Sequence, residues 1–132
     1  SAMDRAMSLL IKICGLSTHE TLEAALDAGA DMVGFVFFPP SPRNLSLEQA
    51  MALGAQAEGR ALKVALSVDA TDAFLAAAVD AARPDMLQLH GKESPERVLD
   101  LKKRFGLPVI KAIHVSNADD LAAVAEYENT AD

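Results

Sequence analysis

The chain has 132 residues, 51% of them apolar and only 5% aromatic, with 19 acidic against 12 basic side chains and a formal charge of −7. That length supports one domain with its own core, and the composition excludes a disordered or fibrous chain. The acidic balance, without a run of five basic residues, argues against nucleic acid or an anionic membrane as partner, and the apolar runs fall short of the roughly 20 residues a span requires.

Residues 1–8, SAMDRAMS, form no signal peptide and read as a tail or expression remnant; residues 9–132 read as part of a single domain. The first strand candidate is LLIKIC (9–14), followed by a helix pattern with Ser17 as cap, Glu20 three residues on and Gly29 as stop. MVGFVFF (32–38) is the second strand, followed by a helix running from Ser46, with Gln49, to Gly59. LKVALSV (62–68) precedes a helix between Asp69 and Pro84, and MLQLH (86–90) precedes one capped by Ser94, with Pro95 at its first position and Gly106 as stop. VIKAIHV (109–115) and a last capped helix pattern complete the series.

The nearly continuous apolar strands are those of a parallel sheet, and their starts recur about every 22 to 30 residues, the spacing of βα units. Five such units suit either a complete doubly wound α/β sheet or the first part of a (βα)8 barrel, and periodicity does not separate them. Strand order does: 2-1-3-4-5 belongs to a flavodoxin-like, non-catalytic domain, and 1-2-3-4-5 to a barrel arc.

In both folds chemistry gathers where strands give way to helices. In KICG, Lys12 and Cys14 share one strand face and Ile11 and Ile13 the other. If the isoleucines face the helices, the amine and thiol face the crevice or lumen. A cation or helix N-terminus nearby would then favour a thiolate able to take a proton from carbon; the alternative is a small buried hydrophobe. In FFPPSPRN (37–44) three prolines stiffen the loop that carries Arg43, whose fork suits a carboxylate; the alternative is a solubilising surface arginine. In QLHG (88–91), Gln88 and His90 share a face, and the histidine either meets a ligand or bonds to nearby backbone.

Lys111 stands mid-strand, with His114 facing the other way. It reads as a structural lysine paired with an inward carboxylate, the alternative being the Schiff-base nucleophile of an aldolase or lyase barrel. His19, His90 and His114 have no zinc-like spacing, no phosphate-loop or dinucleotide fingerprint occurs, and no serine triad can be assembled. One cysteine makes no internal disulfide, which fits a reducing, cytoplasmic setting.

LIKICGLS, GFVFFPPSPRNLS, LQLHG and VIKAIHV, in that order, resemble the N-terminal part of the phosphoribosylanthranilate isomerase family of tryptophan biosynthesis. The resemblance covers residues 9–132 and implies a (βα)8 TIM barrel, here truncated to about its first five βα units. It implies an Amadori rearrangement without metal, nucleotide or flavin. By that resemblance Cys14 is the general base, and Arg43 and His90 contact substrate, with Lys12 and Gln88 in support. The family's general-acid aspartate, in a segment resembling LLFDA on the sixth strand, and the later phosphate loops have no match here, and the terminal Asp132 is not promoted to that role. The 132 residues alone are therefore expected to be inactive, with self-association as one way to cover open barrel edges.

Overall fold

The computed structural model describes residues 10–112, and within them strand and helix alternate throughout. The elements are β1 (Lys12–Cys14), α1 (His19–Asp27), β2 (Met32–Phe37), α2 (Leu47–Ala57), β3 (Leu62–Ser67), α3 (Asp72–Ala82), β4 (Met86–Leu89), α4 (Pro95–Phe105) and β5 (Val109–Lys111). Each strand lies inside its predicted run. Residues 113–115 of the fifth run, His114, the last helix pattern and the tail at 1–8 lie outside the described residues.

All neighbouring strands pair in parallel, in the order β1-β2-β3-β4-β5. Sequential order removes the flavodoxin-like alternative. Cys14 pairs with Gly34, Gly34 with Val64, and Val64 with Met86, so these residues occupy one face. The opposite face carries Val33, Phe35, Phe37, Leu87, Leu89 and Val109, all buried in one core with the helices. That core stabilises through loss of apolar surface to water, at about 25 cal/mol per Å².

The first face is concave. Three strand spacings of about 4.8 Å would separate β1 from β4 by roughly 14 Å in a flat sheet, yet Lys12 Nζ on β1 donates to Gln88 Oε1 on β4. A sheet that closes such a contact is curling as a barrel wall does.

At the strand N-termini, two aspartates repeat one brace. Asp31 accepts from the Ile11 N–H and Asp85 from the Lys63 N–H, each at 2.8 Å, tying the start of one strand to the segment entering the next. Ile11 itself lies outside β1 and is 47% exposed, so only Ile13 of the predicted pair packs against the core.

The helix starts follow the sequence, with one correction. Ser46 and Gln49 form a complete capping box, and Ser94 caps α4 ahead of Pro95. For α1 the cap is Thr18 rather than Ser17: its backbone is extended and its hydroxyl accepts from the Thr21 N–H at 3.1 Å. Glu20 is then the second helical residue, one position short of a capping box. Gly106 ends α4 in the left-handed conformation, as its stop role requires.

Candidate functional site

The strand C-termini carry the polar side chains singled out in the sequence. Cys14 ends β1 on the concave face and is exposed, which excludes the reading of a buried hydrophobe. Its Sγ stands over Gly34 of β2, where an added Cβ would lie only 2.9 Å from the sulfur. Gly34 is thus a member of the site that sequence reasoning missed. A glycine interrupting MVGFVF is the signal that could have revealed it, since an interior strand glycine often marks a close approach.

Gly15 follows with φ +75°, a turn available without strain to glycine, and a Cβ there would meet Arg43 Cδ at 2.6 Å and Nη1 at 2.9 Å. The arginine from the proline-rich loop therefore lies across the backbone next to Cys14. That loop is held by the Arg43 N–H donating to Ser41 Oγ at 3.1 Å and by a parallel bridge from Asn44 to Val36. Arg43 is exposed, and among the described residues its guanidinium enters no ion pair, which leaves its fork open to an anion.

Lys12 sits one inward-facing position below Cys14 and donates to Gln88 Oε1; Gln88 Nε2 lies 2.8 Å from His90 Nε2. His90 is held below the usual imidazole range, first by burial and then by the cations Lys12 and Lys111, with Glu93 acting in the opposite sense. The site has two parts that share β1: thiol and guanidinium on one side, and a lysine, amide and imidazole chain on the other.

Lys111 belongs to neither part. It pairs in register with Leu89 on the helix-facing side, its side chain is 4% exposed, and its Nζ lies 2.8 Å from Glu93 Oε1. It also donates to Gly91 O, while the second Glu93 oxygen accepts from the Asp69 N–H at 2.8 Å. Burial opposes ionisation of Glu93, but the hydrogen bonds from Lys111 and backbone outweigh it and hold the carboxyl below its usual range. The lysine is structural, and the Schiff-base alternative fails because the amine faces away from the concave surface. Behind His90 this network also anchors the Gly91 turn, against which Asp69 packs so closely that a Cβ would sit 2.5 Å from its carboxylate.

A parallel arc in sequential strand order, with polar groups at the strand C-termini, defines the class of fold: part of a (βα)8 barrel. The model of the N-(5'phosphoribosyl)anthranilate isomerase family matches residues 11–132, and the chain belongs to that family. It is 64% identical over 126 residues to the N-(5'-phosphoribosyl)anthranilate isomerase of Bradyrhizobium sp. strain ORS 278, covering 96% of this chain and 58% of that protein. Among solved structures it is similar to a phosphoribosyl anthranilate isomerase in complex with reduced 1-(o-carboxyphenylamino)-1-deoxyribulose 5-phosphate. There the TM-score is 0.86 at 30% identity, covering 92% of this chain and 62% of that one. The enzyme from Thermotoga maritima gives a TM-score of 0.85 at 30% identity, covering 92% and 58%. The chain thus spans less than two thirds of the length of these relatives.

Proposed function

We propose that the protein to which these residues belong converts N-(5'-phosphoribosyl)anthranilate to 1-(2-carboxyphenylamino)-1-deoxyribulose 5-phosphate in the cytoplasm. An acid protonates the furanose ring oxygen, the C1'–O bond breaks, and the anilino nitrogen lone pair forms the C1'=N iminium. Cys14 Sγ removes the proton on C2', the C2'–H electrons form the C1'=C2' enamine, and the enol tautomerises to the ketone. No atom is gained or lost, so the step is an isomerisation and calls for no redox partner. Arg43 binds the anthranilate carboxylate beside the thiol, and His90 contacts substrate from the other side of β1.

The observation that supports this most directly is the approach of Arg43 to the Gly15 backbone, with the exposed Cys14 sulfur on the adjoining residue. A carboxylate gripped by that fork would bring the rest of an anionic substrate to the thiol. In the complete enzyme Cys14→Ala should lower kcat by about 10²- to 10⁴-fold, the usual contribution of a positioned base. Steady-state kinetics check it, and undiminished turnover in Cys14→Ala would exclude the thiol as base.

The 132 residues alone should bind weakly and show no turnover, because the acid and the phosphate anchor of the family match no segment here; substantial turnover by this polypeptide would refute that. Self-association through the open strand edges is the further expectation for the isolated polypeptide, and sedimentation would read it.

A further inference from the structure

Gln88 stands between two groups that fix which way its amide points. Lys12 Nζ donates to one amide atom, and an ammonium carries donors only, so that atom must be the oxygen. The remaining amide atom, the nitrogen, lies 2.8 Å from His90 Nε2 and can only donate. His90 Nε2 must then accept, which leaves the proton of the neutral ring on Nδ1. Protonating Nε2 would set N–H against N–H, and turning the amide over to relieve that would set its NH2 against the ammonium.

The geometry points to a positioning role: we propose that Lys12 and Gln88 fix His90 as the neutral Nδ1–H tautomer, so that the ring serves substrate as a hydrogen-bond donor while Nε2 takes no proton. The service to substrate rests on the isomerase reading above; the tautomer does not. A second free base at the strand ends would compete with Cys14 for protons, and an imidazole whose lone pair is engaged cannot. Phosphate, carboxylate and sugar oxygens are all acceptors suited to a neutral N–H.

The charged groups around the ring agree with the geometry. Lys12 from β1 and Lys111 from β5 oppose an imidazolium, and among the described residues Glu93, already bound to Lys111, favours one. Asp69, from the loop after β3, faces the neighbouring Gly91, and its carboxylate accepts from the Lys92 N–H at 2.7 Å.

The test is long-range 1H–15N correlation on the 132-residue chain labelled with 15N-histidine and titrated with pH, His90 being assigned by its loss in His90→Asn. The expected pattern is a proton-bearing Nδ1 and an unprotonated Nε2, with a midpoint below about 6.5. Gln88→Glu offers a carboxylate that accepts from both Lys12 and the ring. It should move the proton to Nε2 and raise the midpoint by about 1 pH unit or more. His19, hydrogen-bonded on the outer surface through Nδ1 to Gln56 Oε1 at 2.7 Å, reports whether the variant keeps its fold. A wild-type His90 protonated on Nε2 would overturn the proposal, as would an unchanged tautomer in Gln88→Glu with His19 undisturbed. Should Gln88→Glu not fold, the wild-type tautomer still decides.

In the complete enzyme, His90→Ala should raise KM about 10-fold, the cost of roughly one hydrogen bond, with His90→Asn, which keeps an N–H donor, recovering most of it. A kcat pH profile that loses a limb in His90→Ala would instead make the ring a proton-transfer group and overturn its assignment as a donor. Absence of isomerase activity from the wild-type complete enzyme would defeat the functional reading and leave the tautomer result standing.

Discussion

The two faces of the sheet treat the same residue type in opposite ways. On the concave face, Lys12 meets a side-chain amide and passes its influence along Gln88 to an exposed imidazole. On the helix-facing side, Lys63 and Lys111 are almost wholly enclosed, and each is consumed by fixed acceptors. Lys63 Nζ donates to Gly54 O at 3.3 Å, Ala82 O at 3.0 Å and Glu58 Oε2 at 2.5 Å, so one ammonium closes the C-terminal turns of both α2 and α3. A buried lysine on the outer layer is a brace, while one on the inner face is available to orient other groups.

The helix-side pair at Lys111 is where substitution should cost the fold most. Lys111→Met takes the charged partner from the Glu93 carboxylate, 5% exposed, and sets an apolar side chain beside it. Removing one partner of a buried ion pair costs about 3–5 kcal/mol, and urea denaturation of the 132-residue chain should show a loss of that size. The double variant Lys111→Met with Glu93→Gln should recover part of it. A single variant as stable as the parent would erase the contrast between the two faces. Lys63→Met comes next, since it leaves two helix-end carbonyls without their donor at about 1–3 kcal/mol for each unsatisfied group. Gly54 limits any relaxation there, because α2 already lies against Ala82 O, 2.6 Å from where a Cβ would stand.

Acid should separate the faces next. The folded state holds Glu93 below its ordinary value of 4.5, so the unfolded chain binds its proton at higher pH than the folded chain does. The stability from this group is therefore complete above about 4.5 and lost as pH falls through the depressed folded value. His90 follows the same sign around its ordinary 6.5, its loss setting in as pH falls below that value. Glu93→Gln should flatten the acid limb of denaturation midpoints against pH below 4.5 while, by removing a carboxylate that favours the imidazolium, deepening rather than erasing the His90 portion. A slope below pH 4.5 unaltered by Glu93→Gln would mean that the acid loss arises elsewhere.

What the sequence disclosed follows from the range over which each feature is decided. Strands and most caps are local: a run such as MVGFVF or a Ser-Leu-Glu-Gln start carries its own signal within a few residues. The shared face of Lys12 and Cys14 is equally local, being one strand's alternation. Placing Lys111 away from those two needs the register through β2, β3 and β4, and no single strand encodes it. Lys63 escaped notice for the same reason, since its acceptors come from two helices that the chain meets 9 residues before and 19 after it. Ser17 and Thr18 are both good caps, and it is Thr18 whose hydroxyl meets the Thr21 N–H.

Arg43→Ala is the smallest change expected in the fold and the sharpest test of the inner face. The side chain is exposed, and what it lies against is the Gly15 backbone, so its removal creates no cavity and strands no buried charge. Exposed substitutions of this kind stay within about 0.5 kcal/mol, and the denaturation midpoint of the chain should barely move. Binding is another matter, because a bidentate, charge-assisted pair to a carboxylate is worth about 1.5–3 kcal/mol, or roughly 10- to 150-fold in affinity. The complete enzyme should lose that factor for a carboxylate-bearing product analogue in calorimetry, and Arg43→Lys, a point charge without the fork, should restore only part of it. If Arg43→Ala instead unfolded the chain while analogue affinity per folded molecule held, the arginine would be a clasp on the Gly15 turn. The inner face would then be braced in the same way as the outer one.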